Sequence, residues 1–300
     1  MVPDMVYRSP GELDAPLSPP SLPRPQRVVL TTPQHFDVEY VINPHMADNV
    51  GSVDRSAATQ QWKALRAAYT ALDVSPLVVD GRPGLPDMVF CANQTLPFYD
   101  PTTDRRGVVL SRMHAEERAG EVPHYAEFFR TLDYAVETLP DDLEGSFEGM
   151  GDALWHPGRF LLWGGHGFRT APAVYDVISA LLDVPILLLE LQDPDYYHLD
   201  TCLCPLDADT VLTAPAAFDE TGLALIREGF DTVIEAPDGE ARHQFACNAH
   251  CPDGTHVLIQ EGCDGTIERL REHGFVPVEL DTSEFLKAGG SVFCLKQMIW

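Results

Sequence analysis

The sequence predicts an α/β fold organised as one domain over residues 27–300. Two observations predict it. Short β-branched apolar runs bounded by Pro, Gly and Asp alternate with stretches of 3.6-residue apolar period. No internal linker interrupts that alternation after residue 27.

The opening stretch, residues 1–26, carries seven prolines before residue 26, few apolar pairs and no period. It reads as a disordered or surface-draped extension. RVVLTT (27–32) is the first strand. Residues 55–72 form the first helix, because Trp62, Leu65, Ala68, Tyr69 and Leu72 keep the helical period and Asp54 supplies an N-cap. PLVVD (76–80) and GVVLSR (107–112) are strands, followed by a helix over 125–132. RFLLWGG (159–165), a helix over 174–182 and PILLLEL (185–191) come next. DTVLTAP (209–215), a helix over 219–228, DTVIEA (231–236), HVLIQ (256–260), a helix over 265–273 and VPVEL (276–280) complete the set. The five helix centres are spaced by roughly 45–65 residues with strands on both sides, which suggests a repeated supersecondary unit, although no residue motif is evident in the repeats.

The formal net charge is −26, and only Lys63, Lys287 and Lys296 are lysines. That balance argues against nucleic acid or an anionic membrane as partner, since their phosphates would be repelled. It fits a salt-adapted host and says little about substrate. No apolar h-region or membrane span is evident, so a cytoplasmic location is expected. The seven cysteines are an odd number, which suits reduced thiols. The cluster Cys247, His250, Cys251 and Cys263 has no standard zinc spacing, and buried inert thiols are the better account.

Chemistry concentrates in three segments. KAGGSVFC (287–294) ends on Cys294, FEGMGD (147–152) supplies Glu148 and Asp152, and YYHLDTC (196–202) supplies His198 and Asp200. A thiol attacks carbon only as thiolate, and a nearby imidazole such as His198 can take its proton. Gly289 and Gly290 allow close backbone approach, with amides free to face a ligand, or else form a plain turn. Carboxylates match a planar guanidinium by paired charge-assisted hydrogen bonds. Asp87, in LPDMVFCAN, is expected at a strand edge, and His198 and Asp200 on one side of an extended segment. Each acid alone also fits a solvated surface charge. Asn43 before Pro44 suits turn chemistry or a site, alongside Asn93. Arg112 and Arg169 suit either surface ion pairs or an amino-acid α-carboxylate.

The segments 32–46, 86–94, 147–154, 196–202 and 285–294 together resemble the guanidino-group-modifying (pentein) enzymes, and most of all the arginine dihydrolase domain of cyanobacterial dihydrolase–cyclodeaminase proteins. The resemblance implies five ββαβ units in a propeller around a central polar site. It implies Cys294 as nucleophile, His198 as general acid/base and Glu148 as its acidic partner. It implies Asp87, Asp152 and Asp200 as further substrate acids, and Arg112 and Arg169 as holders of the substrate carboxylate. Asn93 stands where classical arginine deiminases carry Asp, as in the dihydrolase-type proteins. That exchange removes a negative charge and admits a second hydrolysis of a neutral ureido group. The cyclodeaminase domain is lacking here, and Cys91 stands where Thr is usual.

The expected activity is cysteine-dependent hydrolysis of arginine to ornithine, with no metal or organic cofactor and a small cationic amino acid as partner. A homo-oligomer is left open. Hydrolysis of dimethylarginine, deimination to citrulline, amidino transfer and amino-acid binding without turnover remain as alternatives. Agmatine is disfavoured, because Phe293 replaces the usual His before the Cys and agmatine has no carboxylate.

Overall fold

The computed structural model describes residues 5–13 and 17–300. Within them the chain makes one β-β-α-β pattern five times. Thr95–Asp100 runs antiparallel to Arg105–Leu110, helix Val122–Thr131 crosses over, and Ala135–Glu137 returns parallel. Ala153–Trp155, Leu162–His166, helix Ala173–Leu182 and Ile186–Glu190 repeat it. Leu203–Pro205, Thr210–Thr213, helix Glu220–Gly229 and Thr232–Glu235 do so again. In the next unit a single bridge, His250 to Leu258, stands for the first strand before His256–Gln260, helix Asp264–Glu272 and Val276–Leu280. The remaining unit joins the ends of the chain: Gln297–Ile299 pairs antiparallel with Arg27–Thr31, and helix Arg55–Ala71 leads to parallel Ser75–Val79. The result is five separate small sheets.

The local chemistry explains the repeat. Helix Arg55–Ala71 is capped by Asp54, whose carboxylate accepts from the Ser56 and Ala57 amides at 2.8 and 3.0 Å, a cap worth about 1 kcal/mol. Its buried face is Ala58, Trp62, Leu65 and Tyr69. Four of the five crossover helices are followed by a left-handed residue: Asp73 (φ 59°), Asp133 (φ 59°), Asp183 (φ 51°) and Gly274 (φ 87°). Asp and Gly tolerate that conformation, and it turns the chain from helix into the parallel strand.

The opening stretch is draped over the domain. Val6–Tyr7 pairs parallel with Ile186–Leu187, Ser21 bridges Arg159, and Leu22 is buried. Disorder is therefore not what the described part shows, because its few apolar residues find a sheet edge and a core to join. Residues 1–4 and 14–16 of that expectation lie outside the described residues. Among the described residues no helix is long and apolar enough to cross a membrane. All seven cysteines are buried and unbridged.

Candidate active site

The repeat also builds the site. The segment entering the first strand of each unit places polar side chains in the interior: Asn93 before Thr95, Glu148 and Asp152 before Ala153, His198 and Asp200 before Leu203, Asn248 before His250, and Cys294 before Gln297. All seven are buried, each at most 2% exposed, so their partners decide their chemistry.

The Cys294 thiol donates to Asp200 Oδ2 at 3.3 Å and accepts from Asn248 Nδ2 at 3.2 Å. Burial, then the Asp200 charge and hydrogen bond, push the thiol well above its ordinary value. Burial likewise pushes Asp200 up to about 7. His198 Nε2 is engaged elsewhere, with Glu148 Oε2 at 2.6 Å. That carboxylate also accepts from Arg169 Nη1 at 3.1 Å and the His114 amide at 2.9 Å. Burial alone would raise Glu148, but the His198 hydrogen bond and charge, with Arg169 and Arg118, hold it well below the carboxylate range.

A small pocket of about 10 Å³ opens onto Cys294. Asn43, Asp87, Asn93 and Arg169 line it with Ile42, Met46, Phe90, Arg118 and Tyr197. Glu148, His198 and Asp200 do not line it but contact residues that do, Glu148 through Arg169, with His198 on Glu148, and Asp200 through Cys294. Both Asp87 oxygens, Asp200 Oδ1 and Asn93 Nδ2 are buried in this region without a hydrogen bond of good geometry among the described residues, and the Tyr40 hydroxyl, equally unpaired, faces Asp87. Burial pushes Asp87 up to about 6, opposed by Arg118.

Several expectations are corrected. Arg112 does not line the pocket: its guanidinium caps the Leu143 and Pro140 carbonyls of a neighbouring loop. Asp152 is an anchor, because Thr170 Oγ1 and the Leu199 amide occupy its oxygens at 2.7 and 3.0 Å, which fixes the turn after His198. Burial pushes it up to about 6. Asp87 sits in the 3-10 turn Pro86–Val89 rather than at a strand edge. His198 is extended, but Asp200 lies in the 3-10 turn Leu199–Thr201, so the two point to different partners. The Gly289 and Gly290 amides do not face a ligand; they bond to Leu286 and Phe285 carbonyls. The pair serves close packing instead. Gly289 (φ 84°) would place a Cβ 2.8 Å from Asn43 Oδ1, and Gly290 one 2.5 Å from the Phe90 ring. Asn43 itself caps the turn Pro44–Met46 and donates to the Ala288 carbonyl at 3.0 Å.

No family model matches the chain. It is 37% identical over 272 residues to N(G),N(G)-dimethylarginine dimethylaminohydrolase of Mycobacterium tuberculosis, covering 91% of this chain and 85% of that one. It is 37% identical over 274 residues to the bifunctional arginine dihydrolase/ornithine cyclodeaminase ArgZ of Synechocystis, covering 90% of this chain but only 37% of that protein. The crystal structure of the ArgZ N-terminal domain bound to substrate superposes with a TM-score of 0.85 at 36% identity, covering 91% of this chain and 97% of that domain. The chain belongs to the pentein superfamily. It is an enzyme of the kind its relatives are, a guanidino-group hydrolase.

In this pentein the residue that sequence reading missed is Arg118. It looks like part of an exposed charge run in HAEERAGE, yet it is 4% exposed. It pairs with Glu121 at 2.9 Å and donates to Asn93 Oδ1 at 3.0 Å. Glu121 is held in turn by Gln94 Nε2 at 2.5 Å. Tyr197 was also missed; its ring stacks under the Arg169 guanidinium at 4.9 Å. Asn248 had one available signal: FACNA (245–249) echoes FCANQ (90–94) at the same point of the repeat.

Proposed function

We propose that this chain is an arginine dihydrolase, converting arginine and two waters to ornithine, carbon dioxide and two ammonia. The observation carrying this reading is the set of orphaned polar atoms around Cys294. Buried polar groups are normally paired. Asp87, beside the Tyr40 hydroxyl, and Asp200 Oδ1 keep acceptor capacity that no N–H fills, and a guanidinium offers five donors in one plane. Of the two arginines lining the pocket, Arg118 is committed to Glu121 and Asn93, and Arg169, whose Nη1 and Nη2 donate to Glu148 and the Ile42 carbonyl, is assigned the substrate carboxylate. The same reading takes the five units as blades of a propeller with the pocket at its axis.

In the first round Asp200 accepts the thiol proton and Cys294 sulfur attacks the guanidinium carbon. His198, oriented by Glu148, gives a proton to the departing ammonia, leaving a covalent amidino thioether. His198 then deprotonates water, which attacks the same carbon and releases the thiolate and citrulline. The second round depends on Asn93. Arg118 has only donors, so it fixes the Asn93 oxygen toward itself and leaves the NH₂, packed against Gly151, without a partner. That free donor suits a ureido oxygen. Cys294 attack then expels the second ammonia, water cleaves the thiocarbamate, and the carbamate falls apart to ornithine and carbon dioxide.

The test is to incubate the protein with arginine and with dimethylarginine, at low and high salt, and to quantify ornithine, citrulline, ammonia and dimethylamine. Ornithine with twice its amount of ammonia is expected, and none from Cys294→Ala. Citrulline accumulating alone limits the chain to one hydrolysis. Dimethylamine release at matching kcat/KM moves the substrate to methylated arginine.

A further inference from the structure

A second cavity, of about 90 Å³, shares no lining residue with the catalytic pocket. Met150, Leu154, Trp155, Phe293, Met298 and Trp300 give it apolar walls. The Pro-rich stretch closes one side through Leu22–Pro25 and is held by Trp300 Nε1, which donates to the Pro23 carbonyl at 2.5 Å.

Its charge runs against the rest of the molecule. The chain has 46 acidic residues against 20 Lys and Arg, yet no acid lines this cavity, while Arg24 and Lys296 do. Lys296 is 1% exposed. Its ammonium sits 3.2 Å from the centre of the Phe293 ring and has no hydrogen-bond or ion-pair partner among the described residues. Buried ammonium groups are ordinarily paired, because leaving water without a partner is costly. Burial accordingly holds Lys296 down to about 7.

Neither lining histidine brings a positive charge, and His156 has both ring nitrogens engaged. His156 Nε2 is bound to the Ala208 carbonyl at 2.8 Å, and its Nδ1 accepts from Trp163 at 3.1 Å. His250 Nδ1 meets the Tyr69 hydroxyl at 2.9 Å. Burial lowers both imidazoles, so they are neutral near pH 7. Lys296 is thus the inside cation with no hydrogen-bond or ion-pair partner among the described residues, its buried acidic neighbours Asp200 and Cys294 lying farther off, and Arg24, exposed at the rim, is a second cation.

We propose that this cavity binds a small organic carboxylate with an apolar body. The carboxylate pairs with the Lys296 ammonium, and the body lies against the Trp155 and Trp300 indoles. The occupant supplies the acceptor that Lys296 lacks, and it leaves the catalytic pocket open.

Benzoate is the probe, read by intrinsic tryptophan fluorescence, since Trp155 and Trp300 line this cavity and no tryptophan lines the catalytic pocket. The expected result is a saturable change with benzoate, at least roughly tenfold tighter than with isosteric benzamide or cationic benzylamine. Lys296→Met should lose that preference, and Lys296→Arg should keep it. Benzamide binding as well as benzoate overturns the proposal in the wild-type protein alone. Absence of saturable binding overturns it too, as does an unchanged preference in a folded Lys296→Met variant.

Discussion

Asp200 Oδ2 lies 3.3 Å from Cys294 Sγ, and both side chains are buried. The pair holds one proton that neither group releases readily, because burial raises both and each anion repels the other. The resting sulfur is therefore a thiol. Under the proposed function, a guanidinium seated between Asp87 and Asp200 would bring the missing positive charge, lower both proton affinities and so help to make the nucleophile that attacks it.

Asp200→Asn separates reactivity from turnover. Loss of the negative charge makes Cys294 easier to deprotonate, so iodoacetamide at pH 8 should alkylate it faster than in the wild type. Arginine turnover should nevertheless fall by roughly 10²-fold or more, since the proton acceptor is gone. Mass spectrometry of the Cys294 peptide and ammonia release read the two effects. Slower alkylation would show that Asp200 does not repel the thiolate.

The same substitution should stabilise the fold at alkaline pH. Asp200 has a folded-state value of about 7 against about 3.9 unfolded. Between those values the native state holds the extra proton, so stability falls as pH rises through the window. Asn carries no such penalty. The Tm of Asp200→Asn should exceed the wild-type Tm at pH 8, and the difference should close toward pH 4. Thermal melts across that range check the sign.

Glu148→Gln should behave oppositely. Its folded value is depressed, so its contribution is fully present above the unfolded value of about 4.3 and is lost as pH falls through the folded one. The variant also leaves Arg169 buried without its anion, which costs on the order of 3–5 kcal/mol. Denaturant melts should show the wild-type advantage at pH 7 and a shrinking advantage toward pH 3.

Strands such as HVLIQ and VPVEL were legible to the residue, because both combine β-branched runs with polar borders. The short first strands, Ala153–Trp155 and Leu203–Pro205, were not, since three residues carry no readable period. The repeat did have a residue signature: Asp73, Asp133, Asp183 and Gly274 each follow a crossover helix and precede Val, Tyr or Phe. It is hard to read because a left-handed cap is one residue in an otherwise variable unit. At the site, the segments carrying Cys294, His198 and Glu148 stand out by residue type, and the structure buries all three, with His198 on Glu148 and Cys294 on Asp200. Arg118 was not, because a buried Arg–Glu pair at i,i+3 has the same sequence as a solvated one. Arg112 failed for the converse reason: only the fold shows the loop carbonyls that occupy it.

Asn93→Asp should truncate the reaction. Arg118 would convert its 3.0 Å hydrogen bond with the side chain into an ion pair, and the unpaired Nδ2 donor would become an acceptor. The guanidinium is still bound by acids, so the first hydrolysis should persist. Product analysis should then find citrulline accumulating and ornithine reduced at least tenfold, about 1.4 kcal/mol in the second barrier. Undiminished ornithine would remove Asn93 from the second step.

Gly151→Ala should give a related defect without changing any charge. A Cβ there falls inside the reach of Asn93 Nδ2 and 3.3 Å from the His198 ring. Gly151 has no positive φ, so Ala introduces no backbone strain and acts through contact alone. The Asn93 amide is the atom that must move, because His198 is held by its 2.6 Å bond to Glu148, whereas the Asn93 Nδ2 has no partner to hold it. Displacing that donor should slow the ureido step more than the guanidinium step, raising the citrulline-to-ornithine ratio while the Asp200–Cys294 pair stays intact. The alkylation rate of Cys294 in this variant should therefore match the wild type. A variant that loses both steps equally would place the disturbance at His198 instead.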